Sequence, residues 1–118
     1  NPETIATAIR IGNPQSWNLA HEARAQSGGW FTPCDDTEIL SAQKFLAQRE
    51  GIFCEPASAA SVAGLIKALS AGHIPDGKSV VCTLTGHGLK DPDVAISQCP
   101  SPVRVAPTVD AVRAAILK

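Results

Sequence analysis

The chain predicts an α/β fold, a partial parallel sheet with flanking helices, and three observations carry that expectation. Strand-length runs of apolar and β-branched residues alternate with helix-length, alanine-rich segments, the order expected of parallel strands joined by helical crossovers. Glycine and proline punctuate the joints between these segments. The strongest strand, residues 79–84, ends at Thr85 in a glycine-spaced turn, Gly86-His87-Gly88. Open α/β sheets place their ligands outside the carboxyl ends of such strands, so Thr85 stands where a side chain meets a small molecule rather than a core.

Each element follows from its residues in order. Residues 5–11 are a short apolar-rich run ended by Gly12-Asn13-Pro14. Residues 16–27 have helix length, carry Trp17, Leu19, Ala20, Ala23 and Ala25, and stop at Gly28-Gly29. Residues 30–34 read as a short strand whose Pro33 suits a sheet edge or a strand end. Asp35 and Glu38 form a capping-box pattern that opens a helix with Ile39, Leu40, Ala42, Phe45, Leu46 and Ala47 at three- and four-residue steps. Gly51 caps its end.

Residues 52–54 are a brief buried strand or an extended stub. Pro56 fits a first helical turn, where its missing N–H costs nothing. The helix over 57–71 has Val62, Leu65, Ile66 and Leu69 as its larger apolar residues, and Gly72 stops it. Residues 74–78 are a turn by composition. After the strand over 79–84, residues 91–97 predict a short helix. Pro100, Pro102 and Pro107 stiffen a linker over 100–107, and Thr108-Val109-Asp110 opens a last helix over 111–117.

Composition excludes several classes of partner. Net charge is −1, with no basic or acidic block, so nothing attracts a nucleic-acid backbone or an anionic membrane surface. No apolar stretch is long enough for a membrane span. The start, Asn1-Pro2-Glu3-Thr4, has neither the basic nor the apolar region of a signal peptide. The absence of Met points to a trimmed product or a piece of something longer. The four cysteines, Cys34, Cys54, Cys82 and Cys99, form no CxxC pair, which predicts reduced, mostly buried thiols of a cytoplasmic protein.

Three constellations are candidates for chemistry. Gly86-His87-Gly88 has the beginning of a G-x-G-x-x-G dinucleotide loop, but Asp91 occupies the third glycine position, where a carboxylate repels a pyrophosphate. The turn then either faces another ligand or is a tight turn that needs positive φ. Lys90 has the wrong glycine spacing for a phosphate-loop lysine. In Glu55-Pro56-Ala57-Ser58-Ala59-Ala60-Ser61, small residues let backbone and a helix start approach a flat ligand. There Glu55 either lines a pocket or complements the helix dipole, and Ser58 and Ser61 read otherwise as buried hydroxyls bonded to a preceding turn. Arg10, between Ile9 and Ile11, pairs either with an anionic substrate or with a neighbouring acid, and composition favours the acid. His21, His73 and His87 have no metal-like spacing, and no G-x-S-x-G nucleophile elbow is present.

Three segments in register, residues 7–17, 50–61 and 84–93, resemble the C-terminal third of the bacterial threonine synthases. The resemblance covers nearly the whole chain and loosens after about Cys99. It implies a pyridoxal-phosphate enzyme of the tryptophan-synthase-β-like fold (fold type II) that converts O-phospho-L-homoserine and water to L-threonine and phosphate, as a homodimer. It further implies that Thr85, followed by Gly86, hydrogen-bonds the pyridine nitrogen, with Glu55 and Ala57 lining the pocket near the ring. Residues 1–99 would then be the C-terminal part of the catalytic domain, 100–107 a linker and 108–118 a terminal helix. The family's Schiff-base lysine and phosphate loop have no counterpart here: Lys44, Lys67, Lys78, Lys90 and Lys118 lie outside any matching motif. The expectation is therefore no catalytic nucleophile and no metal ligand on this chain, which needs the remainder of the same enzyme to be active. Rival readings are a serine/threonine dehydratase-like fragment and a non-catalytic module that binds a small phosphorylated metabolite.

Overall fold

The computed structural model describes residues 1–117, so Lys118, placed by sequence in the terminal helix over 108–118, lies outside the described residues. Five α-helices follow one another: α1 (Trp17–Ser27), α2 (Asp36–Phe45), α3 (Pro56–Ser70), α4 (Pro92–Gln98) and α5 (Val109–Ile116). Short 3-10 turns occupy Thr7–Ile9 and Gly88–Lys90.

Helix starts and stops obey local chemistry. At α2, Asp35 Oδ1 accepts from the Glu38 amide at 2.8 Å, and Glu38 Oε2 accepts from the Asp35 amide at 2.9 Å, which completes the capping box. Thr108 caps α5 through Ala111 N. Gly28, Gly51 and Gly72 take positive φ where their helices end. The sequence predicts one continuous helix up to Gly51. In the structure the last turn, Leu46–Glu50, widens into a π turn, and Ile52 N closes back onto Leu46 O at 3.1 Å.

The core is one small cluster between α2 and α3. Ile39, Ala42 and Leu46 meet Ala59, Val62 and Ala63, with Ala6 and Cys54 enclosed beside them. Alanine on both helices lets the backbones approach closely. Lys67 of α3 ties the pair at one end, donating to Pro33 O at 3.0 Å and pairing with Glu38 at 2.9 Å. That bond to Lys67 holds the Glu38 carboxyl below the usual range and Lys67 above its own. Both groups are solvated, so the pair adds little stability.

Beyond this cluster the chain is spread out. Its radius of gyration is 18.6 Å, where a compact domain of this length has about 13–14 Å. Its accessible surface is 9078 Å², against about 6,100 Å² for a compact protein of this mass. α1 and α5 bury no residue. Trp17, Trp30, Phe31 and Ile116 are among the exposed large apolar side chains.

The predicted parallel sheet does not form among the described residues. Residues 30–34 and 79–85 lie outside every helix and pair with no strand, although 81–85 keep a strand's alternation of inward and outward side chains. A ladder needs neighbouring backbones about 4.8 Å apart. Here the two segments flank a groove over α3, lined by Trp30, Thr32, Gly64, Leu65, Val80 and Thr83. Val81 is consequently 92% exposed. The one β-bridge among the described residues joins Cys54 to His87, and it is antiparallel rather than parallel.

The cysteines divide by environment. Cys54 is buried, Cys34 and Cys82 are half-buried, and Cys99 is exposed. Burial pushes the Cys34 and Cys54 thiols up, with nearby Glu38 adding to the effect at Cys34. Because the thiolate is the reactive form, a disulfide-exchange reagent at neutral pH is expected to label Cys99 first and Cys54 last. Mass mapping of labelled peptides over time checks this, and prior modification of Cys54 contradicts the buried placement.

Candidate functional site

The extended segment keeps a strand's two-residue alternation although it has no strand partner. Cys82 and Leu84 face inward, while Val81, Thr83 and Thr85 face outward. The segment runs along the first turns of α3. Ser61 Oγ, which donates to Ser58 O at 2.9 Å, lies 3.4 Å from Thr83 O, and the Cys82 thiol lies 3.8 Å from Ser61 O. Thr85 thus arrives beside the start of α3 on the open side of the segment.

Ser58, in the first turn of α3 and only 1% exposed, is the joint between the two elements. Its hydroxyl oxygen accepts from the Gly86 amide at 2.7 Å and lies 3.2 Å from Thr85 Oγ1. Gly86 O accepts from Glu55 N at 3.1 Å, and Phe53 O accepts from Gly88 N at 3.1 Å. These bonds clamp the glycine turn onto residues 53–58. Gln43 supports the clamp from α2 by donating to Cys54 O at 2.8 Å and accepting from Gln98 at the same distance. Thr7 adds a tether through its bond to Asp91 at 2.7 Å.

The two glycines serve close approach. Neither Gly86 nor Gly88 has positive φ, which corrects the tight-turn expectation. A Cβ at Gly86 would overlap the Glu55 carboxylate, and one at Gly88 would overlap the Phe53 ring. His87 lies edge-on to that ring, at a centroid distance of 5.4 Å, and caps the following 3-10 turn by accepting from Leu89 N.

Glu55 does not cap α3 with its side chain. Its carboxylate is buried and pairs with Lys90 Nζ at 3.3 Å, while Lys90 itself is largely exposed. A residue spacing of 35 carries no local sequence signal, so this pair was not foreseeable. It leaves the wall without an unpaired buried charge. Ser58 bonds a turn far along the chain rather than a preceding one. Arg10 donates to the Thr4 carbonyl through Nε and Nη2, and among the described residues it forms no ion pair with an acid, which corrects the favoured expectation.

The structure therefore brings Thr85, Gly86, Glu55 and Ala57 to one end of α3, with Ser58, expected from sequence to bond a preceding turn, as the link between them. What the arrangement offers is one neutral, outward hydroxyl above a flat, small-residue wall. Among the described residues, no group of three metal-ligating side chains assembles, and no helix is long and apolar enough to cross a membrane.

Known proteins resemble this chain over most of its length. The profile of a family described as pyridoxal-phosphate dependent enzyme matches residues 1–86. The threonine synthase of Mycobacterium leprae (strain TN) is 58% identical over 113 residues, which is 95% of this chain and 31% of that protein. The threonine synthase of Halalkalibacterium halodurans is 60% identical over 96 residues, 81% of this chain and 27% of its own length. That of Methanocaldococcus jannaschii is 55% identical over 105 residues, covering 89% and 26%. This chain thus spans about three-tenths of the length of such curated relatives. With that match across most of the chain, it belongs to the pyridoxal-phosphate dependent enzyme family.

Proposed function

We propose that this chain is the C-terminal portion of a threonine synthase and forms one wall of its pyridoxal-phosphate site. The whole enzyme would convert O-phospho-L-homoserine and water to L-threonine and phosphate, as a cytoplasmic homodimer. The observation that carries the reading is Thr85. Its hydroxyl leaves an extended segment on the outward side and is held at the start of α3 by Ser58. The large exposed apolar surface supports the same reading, since a wall of a larger site needs covering by the rest of the enzyme.

When bound, the cofactor supplies the electron sink, while the protein supplies orientation and tuning. Thr85 Oγ1 would donate to the ring nitrogen and keep its own proton, because an alcohol is far too weak an acid to protonate a pyridine. A carboxylate in that place would hold the nitrogen protonated and strengthen the sink. Gly86 keeps the wall flat, and Lys90 neutralises Glu55 behind it. Residues 1–99 belong to the catalytic domain in this reading. The reactive lysine and the phosphate loop would lie elsewhere in the enzyme, so the chain alone would be inactive.

The test is Thr85→Val in the parent enzyme, which removes the donor at nearly constant shape. Cofactor affinity is expected to fall about fivefold, the worth of one neutral hydrogen bond, with a shift in the visible absorption of the bound cofactor. Unchanged affinity and spectrum would refute the role of Thr85.

A further inference from the structure

We infer that Ser58 is the positioning residue that makes Thr85 an outward hydrogen-bond donor, an inference that rests on the proposed role of Thr85. A serine hydroxyl has one proton and two lone pairs. In Ser58, one lone pair is filled by the Gly86 amide at 2.7 Å, the shortest bond it makes. Its proton has two acceptors in reach, Thr85 Oγ1 at 3.2 Å and Gly86 O at 3.3 Å. Gly86 O already accepts from Glu55 N. A hydroxyl that accepts a hydrogen bond becomes a better donor, because bonds in series polarise one another. The chain of bonds therefore runs from Gly86 N–H to Ser58 O–H to Thr85 O–H and out of the wall. Were Thr85 instead to donate inward to Ser58, it would face the ring nitrogen as an acceptor and favour its protonated form. Ser58 thus acts without touching the cofactor: it selects the proton direction of the group that does. With Ser58 almost wholly buried and Thr85 exposed, the direction is set from inside the fold.

A four-member cycle in the parent enzyme tests this: wild type, Ser58→Ala, Thr85→Val and the double variant. Each is loaded with pyridoxal phosphate carrying ¹⁵N in the ring. The ring-nitrogen chemical shift and the cofactor dissociation constant are read, neither of which needs turnover. The wild type is expected to show a neutral nitrogen. Ser58→Ala should move the shift toward the protonated value and weaken affinity about threefold. Adding Ser58→Ala to Thr85→Val should change neither reading further. If Ser58→Ala matches the wild type while Thr85→Val does not, the inference about Ser58 fails alone. An equal effect of Ser58→Ala with and without Thr85→Val also overturns it, because that marks a general structural role. If Thr85→Val itself changes nothing, the underlying role of Thr85 fails. Should Ser58→Ala not fold, Ser58→Cys replaces it, because a thiol fills the space but donates too weakly to hold the Thr85 proton outward. A wild-type nitrogen shift in Ser58→Cys then overturns the inference, and a shift toward the protonated value supports it.

Discussion

Gly86→Ala is expected to destabilise the parent enzyme by about 3 kcal/mol, toward the upper end for forcing volume into a packed site, and to abolish stable cofactor binding. The new methyl would occupy the space of the Glu55 carboxylate, which is buried and paired with Lys90. Glu55 cannot swing outward without breaking that pair. The Gly86 backbone cannot retreat without losing its bonds to Ser58 and to Glu55 N. Thr85, one residue earlier, would move with it. Urea unfolding and a cofactor titration give the two readings. Combining Gly86→Ala with Glu55→Ala empties the contested space and should restore most of the stability. A Gly86→Ala protein with wild-type unfolding and cofactor binding would show that the turn does not press on Glu55.

Ile39→Ala should cost about 2–5 kcal/mol, the range for deleting a buried aliphatic side chain. Ile39 is 2% exposed and stands in a cluster whose other members are mostly alanine, cysteine and valine. Small neighbours on rigid helices have little side chain to move into a void, so the cavity stays open. The same cluster seats α3 against α2, and α3 carries Ala57 and Ser58, with Glu55 immediately before its first turn. Cofactor affinity is therefore expected to fall along with the unfolding midpoint, although Ile39 lies in α2, away from the wall itself. A loss of stability below about 1 kcal/mol would mean that the site collapses around the deletion.

The helices were legible in the sequence because their signals are local. The Asp35/Glu38 box, Pro56 at the first turn of α3 and the terminal glycines act through bonds spanning a few residues, and each element appears where those signals put it. The sheet was not legible in the same way. β-branched residues make 79–84 extended, and the alternation that points Thr85 outward survives, but pairing depends on a neighbouring backbone that no local pattern guarantees. Here a groove over α3 lies between residues 30–34 and 79–84.

The site divides along the same line. The order of residues alone was enough to nominate Thr85, Gly86, Glu55 and Ala57, since a strand end, a glycine turn and a small-residue helix start are all short-range features. Only the folded chain joins them. Ser58 reaches across 28 positions to the Gly86 amide, and Glu55 across 35 to Lys90. Folding also decides why the turn is glycine: its φ is ordinary, and the missing Cβ leaves room for a carboxylate that sequence had placed at a helix start. Conformational preference is a property of a residue and its immediate neighbours, whereas close approach belongs to two segments that meet only when the chain has packed.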